Sequence, residues 1–302
     1  MTDLQIRAEP ALRRMLAARP AAGAVVLMVA ASGFMSGQHA VVRHLAPEIH
    51  TFEIVFFRNL FGFLWFLPWL LRSGPAALAT RRFGTHAMRA LLNTASLMAY
   101  FAALGMIPLA DATALNLTIP LFVAVGAILF LGERVSAARW TALAVGAAGA
   151  LAIVRPGFEA VTPGVLLVMG ASVCAAGTRL MAKSLSGTDK PSAIVAWVAV
   201  LMTPVTLIPA LFVWHWPALW EWPLLVAVGG LGAIGQLCFV KAYALADITF
   251  AEPMAFTRLL WAAAIGYLWF GEFPDFWTWA GGALIVAGTT ILARGRTRPP
   301  AP

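Results

Sequence analysis

The chain has 302 residues, of which 61% are hydrophobic and only 11% are charged. A soluble protein has roughly 45–50% apolar and about 25% charged residues, so this composition excludes water-soluble domains and intrinsic disorder. The net charge of +8 would suggest a nucleic-acid partner in a soluble protein, but here the basic residues lie in short segments between apolar runs. The sequence therefore predicts an all-α membrane protein surrounded by lipid bilayer, with no nucleic-acid partner.

Ten apolar runs are long enough to cross a bilayer, for which a helix needs about 20 residues. The runs are continuous, whereas the strands of a membrane barrel would form short alternating segments. Very short connections at 108–111 and 246–248 make nine spans the alternative. In chain order, the predicted spans are Ala24–Leu45, Thr51–Leu71, Met88–Ile107, Ala112–Leu131, Ala137–Val154, Pro163–Ala182, Ala193–Phe212, Trp220–Ala244, Thr249–Phe270 and Phe276–Ala293.

Basic residues near the span ends orient the chain, because Lys and Arg in short loops stay on the cytoplasmic side. If the N-terminus is inside, fifteen of the 21 Lys and Arg residues fall in cytoplasmic segments and only Arg43 and Arg155 in external ones. We therefore expect both termini to be cytoplasmic, in a bacterial-type inner membrane, with basic tails at 1–23 and 294–302. The four basic residues within spans are Arg58, Arg179, Lys241 and Arg258.

The two halves of the chain resemble each other at offsets of 136 to 140 residues. The matched pairs include Asp111 and Asp247, Glu133 and Glu272, and Trp140 and Trp279. Each half holds five predicted helices, an odd number, so the second repeat enters the membrane from the opposite side. The predicted repeats are 24–154 and 163–293, and inverted repeats of this kind are a transporter architecture with the substrate site near the midplane.

Short motifs in both halves carry a family resemblance. A Gly-Glu pair precedes the fifth helix of each repeat, as Gly132-Glu133 and Gly271-Glu272. With 58–62 (RNLFG) and 109–115 (LADATAL), these motifs resemble the EamA domains of the drug/metabolite transporter superfamily over Ala24 to Ala293, and they look like its aromatic amino acid exporter branch. The resemblance implies a cavity walled by helices one, three, four, six, eight and nine. Members of the family export amino acids, and others move cofactors, nucleosides or sugar conjugates.

Ionisable side chains within a span cost about 2.5–3.5 kcal/mol even on a permissive insertion scale, so each needs a reason. For Arg58 we expect a structural pairing with Glu53 or with helix carbonyls. For Arg179 a pairing role and a substrate contact are equally open. Glu252 is the strongest candidate for a titratable group in the cavity, so any proton coupling is expected to pass through it, although snorkelling to the interface is the alternative role.

Uncharged polar side chains recur at helical spacing inside the spans. Asn93 and Tyr100 are seven residues apart, so they share one helix face. Pro120 follows Asn116 in span four and is expected to kink that helix. Interhelical hydrogen bonding, worth about 0.6 kcal/mol on average, is the alternative role for any one polar residue. The predicted substrate-binding residues are Gln38, His39, Asn93, Tyr100, Asn116, Arg179, Gln236, Tyr243, Glu252, Phe256 and Trp261.

The sequence carries no motif for catalysis or metal binding. Its five His residues lack metal-ligand spacing, and there is no nucleotide-binding loop or dinucleotide fingerprint. Cys174 and Cys238 lie inside apolar runs, which argues against a disulfide framework. We therefore expect no enzyme activity, no catalytic residue, no cofactor, no metal and no ATPase partner, so that transport is driven by a gradient or is facilitative.

The hypothesis that the sequence favours is an exporter of amino acids, broad in range and including aromatic and other neutral ones, that works by alternating access. The alternative is a carrier of the same fold for another small metabolite, such as a cofactor, a nucleoside or a cationic drug. A cation carrier would need a buried carboxylate, which Glu252 would supply. A membrane enzyme acting on lipid would need clustered carboxylates or His at a helix end, and the sequence has no such cluster.

Overall fold

The computed structural model describes residues 20–73, 80–131, 137–154, 162–185, 188–189, 191–245 and 257–294. Every regular element among them is an α-helix, which confirms the predicted all-α class. Most of the two predicted basic tails lies outside the described residues. The helices, numbered by predicted span, are α1 (Pro20–Leu45), α2 (Thr51–Ser73), α3 (Phe83–Leu104), α4a (Leu109–Asn116), α4b (Ile119–Leu131), α5 (Ala137–Val154), α6 (Pro163–Leu185), α7 (Pro191–Leu211), α8 (Glu221–Leu245), α9 (Thr257–Phe270) and α10 (Phe276–Arg294).

Five described stretches are long and apolar enough, by length and composition alone, to cross a membrane. They are Gly23–Leu45, Phe83–Leu104, Leu109–Phe130, Pro163–Ala182 and Glu221–Phe239. The predicted start of the third helix at Met88 is wrong, because α3 begins five residues earlier at Phe83. The extra turn carries His86, which hydrogen-bonds to Asp189, and Arg89 just beyond the predicted start donates to Ile194 O. These partners allow this polar end of the helix to pack against the rest of the protein.

The helix connections lie at two ends of the bundle. The first, which we call the Arg43 end, includes 46–50, 105–108, 212–220 and 271–275. The second, the Asp189 end, includes 80–82 and 188–189. At the Asp189 end, Thr80 Oγ1 donates to Asp189 Oδ2 over 2.6 Å, and His86 Nε2 lies 2.8 Å from the same oxygen. These two hydrogen bonds, first from His86 and then from Thr80, hold the pKa of Asp189 below its usual range.

Glycines let α5 and α10 approach at backbone distance. With the pair of α1 and α8, this is one of the two most extensive helix pairs among the described residues. A Cβ built on Gly149 would lie 2.6 Å from the carbonyl oxygen of Gly281, and one on Gly288 would lie 2.6 Å from that of Ala142. Lipid is as apolar as a Leu side chain, so membrane helices associate through such close packing rather than through hydrophobicity. We call this contact, centred on Gly149 and Gly281, the glycine seam.

A left-handed glycine at the Arg43 end directs Glu272 towards α1. Gly271 has φ +67°, and its amide donates to Tyr267 O over 3.0 Å, as in the αL motif that ends helices; the amide of Glu272 donates to Gly266 O over 3.1 Å. Arg43 Nη1 donates to Glu272 Oε2 over 2.8 Å and Nη2 donates to Oε1. The amide of Leu109 donates to Glu272 Oε2 over 3.3 Å, so this carboxylate joins α1, α4a and the α9–α10 connection.

Candidate functional site

Helix four is interrupted in the middle of the bundle, as its proline predicts. Segment α4a ends at Asn116, and α4b starts at Ile119 after a turn at 117–118. Pro120 has no amide to donate to the carbonyl of Asn116, so the regular hydrogen-bond ladder cannot continue across this point. Thr118 Oγ1 instead bonds to Leu115 O over 2.6 Å and stabilises the turn. The side chain of Asn116 is therefore presented at a break in the helix, a feature of transporter binding sites.

Asn116 meets a charged side chain from the second half of the chain. Arg258 Nη2 donates to Asn116 Oδ1 over 3.0 Å. On the opposite side, Ser36 Oγ donates to the backbone carbonyl of Arg258 over 3.1 Å. Arg258 lies twelve residues before the end of α9 at Phe270, or about 18 Å at 1.5 Å per residue. These bonds join α1, α4a and α9 deep inside the bundle.

His39 and Tyr100 continue the same polar region towards the Arg43 end. Both are 5% exposed, the Tyr100 hydroxyl lies 3.4 Å from His39 Nδ1, and their ring centroids are 4.9 Å apart. We refer to Ser36, His39, Tyr100, Asn116 and Arg258 as the central cluster. It combines two aromatic rings with hydrogen-bond donors and acceptors of several kinds. It draws on α1, α3, α4a and α9, helices that belong to both halves of the chain.

Other predicted site residues are occupied in joining helices. Gln38 Nε2 donates to Val228 O over 2.7 Å, and Asn93 Nδ2 lies 3.2 Å from Met202 Sδ. Trp261 lies across α1, since its Nε1 donates to Val29 O over 3.1 Å and its ring would be 3.2 Å from a Cβ on Gly33. Gln38 and Asn93 therefore make the interhelical contacts that were the alternative for polar residues, while Trp261 forms part of the α1–α9 contact beside the central cluster.

The remaining predicted residues are either exposed or outside what the structure describes. Arg179 on α6 and Gln236 on α8 are exposed. Glu252 and Phe256 lie outside the described residues, and the side chain of Tyr243 is not among those described either. Among the described residues, no group of three His, Cys, Asp or Glu side chains has the geometry to hold a metal ion.

The structure adds Arg58, for which the sequence predicted a pairing with Glu53 or with helix carbonyls. The pairing with Glu53 is wrong: Glu53 Oε1 accepts from the amide of His215 over 3.1 Å, and Arg58 Nη1 donates to Asn59 Oδ1 over 2.8 Å. Residues five apart point about 140° away from each other on a helix, so Glu53 and Arg58 do not share a face. This spacing was the signal in the sequence that Arg58 has another role.

A depression lies in the surface at the Arg43 end. Its volume is about 450 Å³, within the usual range for small-molecule sites. Arg43 borders it and holds its guanidinium carbon 4.7 Å from the centre of the Phe270 ring. The lining residues are Arg43, His44, Ala46, Pro47, Gly105 and Phe270. The depression therefore lies at the surface of the Arg43 end, next to the bonded pair of Arg43 and Glu272.

The comparison with protein families gives two matched segments. Residues 22–155 and residues 162–294 each match the EamA-like transporter family. The two matches confirm the two-repeat membrane fold predicted from the sequence. A protein of known crystal structure with 17% sequence identity superposes with a TM-score of 0.62, covering 92% of this chain and 99% of the other. At that identity, the likeness concerns the fold alone.

Three relatives carry the names of different substrates. A riboflavin transporter of Rhizobium johnstonii is 35% identical over 244 residues, which cover 80% of this chain and 81% of the relative. A pseudopaline exporter of Pseudomonas aeruginosa is 34% identical over 276 residues, 89% and 95% of the two chains. An S-adenosylmethionine uptake transporter of Rickettsia bellii is 28% identical over 257 residues, 85% and 88%.

Proposed function

The chain belongs to the EamA-like transporter family, and we propose that its substrate is riboflavin or a closely related flavin, carried across a bacterial inner membrane by alternating access. It is a membrane transporter of a small molecule, as the relatives' names also indicate. The expected place in the amino acid exporter branch is not what these relatives' names indicate. The alternative from the sequence, a carrier of another small metabolite such as a cofactor, is now the better hypothesis.

The observation that carries this proposal is the 35% identity with a riboflavin transporter over four fifths of both chains. The chemistry of the central cluster supports it. Riboflavin is uncharged at neutral pH and joins a flat three-ring system to carbonyl groups and a hydroxylated chain. Tyr100 and His39 offer ring edges and a hydroxyl, and Arg258 and Asn116 offer donors and an acceptor for carbonyls and hydroxyls.

A cationic substrate is less well matched by the described part of the chain. S-Adenosylmethionine and many drugs carry positive charge, which a buried carboxylate would stabilise. The described acidic residues lie in connections or within the first three residues of a helix, at Glu48, Glu53, Asp111, Asp189, Glu221, Glu272 and Asp275. The residues described at the central cluster are neutral or basic.

Amino acid export remains the second candidate, and one contact favours it. The Arg258 guanidinium, held by Asn116 inside the bundle, is a suitable partner for a substrate carboxylate. A relative of 34% identity is also named as an exporter. The two candidates differ in one property: an amino acid must present a carboxylate to this site, and riboflavin has none.

We propose further that the Arg43 end faces the periplasm and that both chain termini are cytoplasmic. The distribution of Lys and Arg supports this orientation, since fifteen of 21 would then lie inside. The cycle would run on a gradient or by facilitated diffusion, with Glu252 as the residue through which protons would couple.

Counterflow in proteoliposomes tests the substrate without assuming a direction. Vesicles preloaded with unlabelled riboflavin should accumulate labelled riboflavin faster than protein-free vesicles, and external riboflavin should compete where amino acids and S-adenosylmethionine do not. Asn116→Ala should slow this exchange at least tenfold, because it removes a partner of Arg258. Asn93→Ala is the matched control, because Asn93 contacts Met202 away from the cluster and should leave the exchange within about twofold.

The results separate the two candidates. Counterflow of an amino acid without counterflow of riboflavin would make amino acid transport the correct function. If neither compound exchanges through a folded, reconstituted protein, both proposals are wrong.

A further inference from the structure

The first helices of the two repeats can be aligned residue by residue. Residues 27–32 of α1 (LMVAAS) match residues 167–172 of α6 (LVMGAS) at an offset of 140. The two helices run in opposite directions, since α1 ends at the Arg43 end and α6 ends at the Asp189 end. At this offset His39 corresponds to Arg179, and each lies six residues, or about 9 Å, from the end of its helix.

The third helices of the two repeats align in the same way. Residues 109–111 (LAD), which follow α3, match residues 245–247 (LAD), where α8 ends, at an offset of 136. At this offset Tyr100 on α3 corresponds to Gln236 on α8. The partner of His39 in the central cluster therefore has a polar counterpart in the second repeat.

The two matched pairs differ in the structure. His39 and Tyr100 are buried, and the Tyr100 hydroxyl lies 3.4 Å from His39 Nδ1. Arg179 and Gln236 are exposed, and neither side chain makes a hydrogen bond or an ion pair with any residue that the structure describes. The helices differ likewise: α1 packs against α3, whereas α6 and α8 make no comparable contact within the described ranges.

Both exposed residues lie on helix faces that are packed further from the Asp189 end. Arg179 shares a face of α6 with Ser172 and Ala176, which lie seven and three residues before it and are buried. Gln236 shares a face of α8 with Leu225, which is eleven residues before it and also buried. The packing around α6 and α8 is therefore open towards the Asp189 end, while α1 and α3 are closed towards the Arg43 end.

We infer that Arg179 and Gln236 form the contact that closes the Asp189 side of the bundle when the opposite side opens, as His39 and Tyr100 close the Arg43 side here. Inverted repeats allow this exchange, because each repeat can adopt the arrangement that the other has now. An arginine can donate to the side-chain oxygen of a glutamine, so the two residues are chemically suited to meet. The inference rests on the alternating access of the proposed function, but not on which molecule is carried.

Cross-linking of paired cysteines in purified protein tests the inference. Arg179→Cys and Gln236→Cys are combined with Cys174→Ala and Cys238→Ala, which remove the two native thiols. Both new cysteines replace exposed residues, so folding should be preserved. A short bifunctional thiol reagent should join them at least ten times faster than it joins Val173→Cys to Gln236→Cys. Val173 is the matched control, because it is also exposed on α6 but points about 120° away from Arg179.

A third cysteine tests whether closure on one side opens the other. His39→Cys, added to the variant with Arg179→Cys and Gln236→Cys, should react slowly with a fluorescent maleimide, because His39 is buried. Once the other two cysteines are joined, its labelling rate should rise at least tenfold. If the cross-link forms and His39→Cys stays protected, the two sides do not alternate and the inference is wrong.

Weakening the closed pair should favour the opposite state. Tyr100→Phe removes the hydroxyl next to His39, so it should speed the cross-linking of Arg179→Cys to Gln236→Cys about twofold to tenfold, the range expected for one lost hydrogen bond. Tyr267→Phe, the same change at an exposed position, should leave the rate unchanged. Equal rates in the two tyrosine variants, or no cross-linking above the Val173→Cys control, would overturn the inference. None of these measurements needs a substrate, so they remain decisive if counterflow refutes riboflavin transport.

Discussion

Replacing Glu272 by Gln removes the carboxylate that joins three elements at the Arg43 end. Glu272 accepts two hydrogen bonds from Arg43 and one from the amide of Leu109. The side chains of Arg43 and Glu272 are 18% and 23% exposed, so this ion pair is intermediate between an exposed pair and a fully buried one. An exposed ion pair is worth about 0–1 kcal/mol, and breaking a fully buried one costs about 3–5 kcal/mol. We expect a coupling energy of about 1–3 kcal/mol between Arg43 and Glu272.

A double-mutant cycle measures this coupling energy. The cycle compares Arg43→Gln, Glu272→Gln and the double variant by thermal unfolding in detergent. A change of 1 kcal/mol shifts the melting temperature by about 2 °C in a chain of this size. Arg43 also packs on Phe270, so its replacement alone costs more than the ion pair, and the cycle removes that separate contribution.

The matched control is Glu48→Gln, the same chemical change at an exposed position in the neighbouring α1–α2 connection. It should leave the melting temperature within about 1 °C, since surface substitutions are usually within ±0.5 kcal/mol. A coupling energy below about 0.5 kcal/mol would show that the two side chains act independently, and the reasoning from their partial burial would be refuted.

Three further predictions concern other parts of the fold. In the same thermal unfolding assay, Gly149→Ala should destabilise the protein by about 1–3 kcal/mol, because the new Cβ would lie 2.6 Å from Gly281 O. Gly170→Ala is the control: its Cβ would meet open space, so it should be neutral or stabilising. The pKa of Asp189 is depressed in the folded protein, so its ionised form stabilises the fold at pH values above the ordinary Asp pKa of about 3.9. This stabilisation is lost as the pH falls through the lower pKa of the folded protein. Asp189→Asn should therefore remove this part of the acid-induced decrease in melting temperature. Fused after Arg298, a reporter that functions in the cytoplasm should be active and one that functions in the periplasm should be inactive. Activity of the periplasmic reporter would contradict the orientation that we propose.

The sequence predicts the fold well because the signals involved are local or periodic. Long apolar runs specify membrane helices whatever their neighbours are, and the repeat follows from matched residues at a constant offset. The break in helix four was equally predictable, since Pro120 removes a hydrogen bond wherever it stands in a helix. The start of α3 at Phe83 was not, because its first turns are polar in sequence, and their partner Asp189, which bonds His86, comes from the other half of the chain.

The candidate site is less predictable from the sequence. Helical spacing shows which residues share one face of a helix, but not which other helix packs against that face. Tyr100 and Asn93 share a face of α3, yet the first contacts His39 and the second contacts Met202. Gln38 and His39 are adjacent in sequence, but the amide of Gln38 bonds to the backbone of α8 while His39 joins the cluster. Only the packing of α1 against α3 and α8 decides between these outcomes.

The glycine seam limits where the molecule can change shape. Where two helices are in backbone contact, no side chains lie between them. A sliding movement therefore cannot be accommodated by rotamer changes or by a new interdigitation of side chains. If the two repeats move relative to each other, as the proposed alternating access requires, the contact between Gly149 and Gly281 would act as the pivot of that rotation. Ala150 and Ile285, beside the seam, pack with Ala114, Leu117 and Leu259, so Asn116 and Arg258 lie close to this axis. A rotation about the seam would therefore displace these two residues least and the helices farthest from it most.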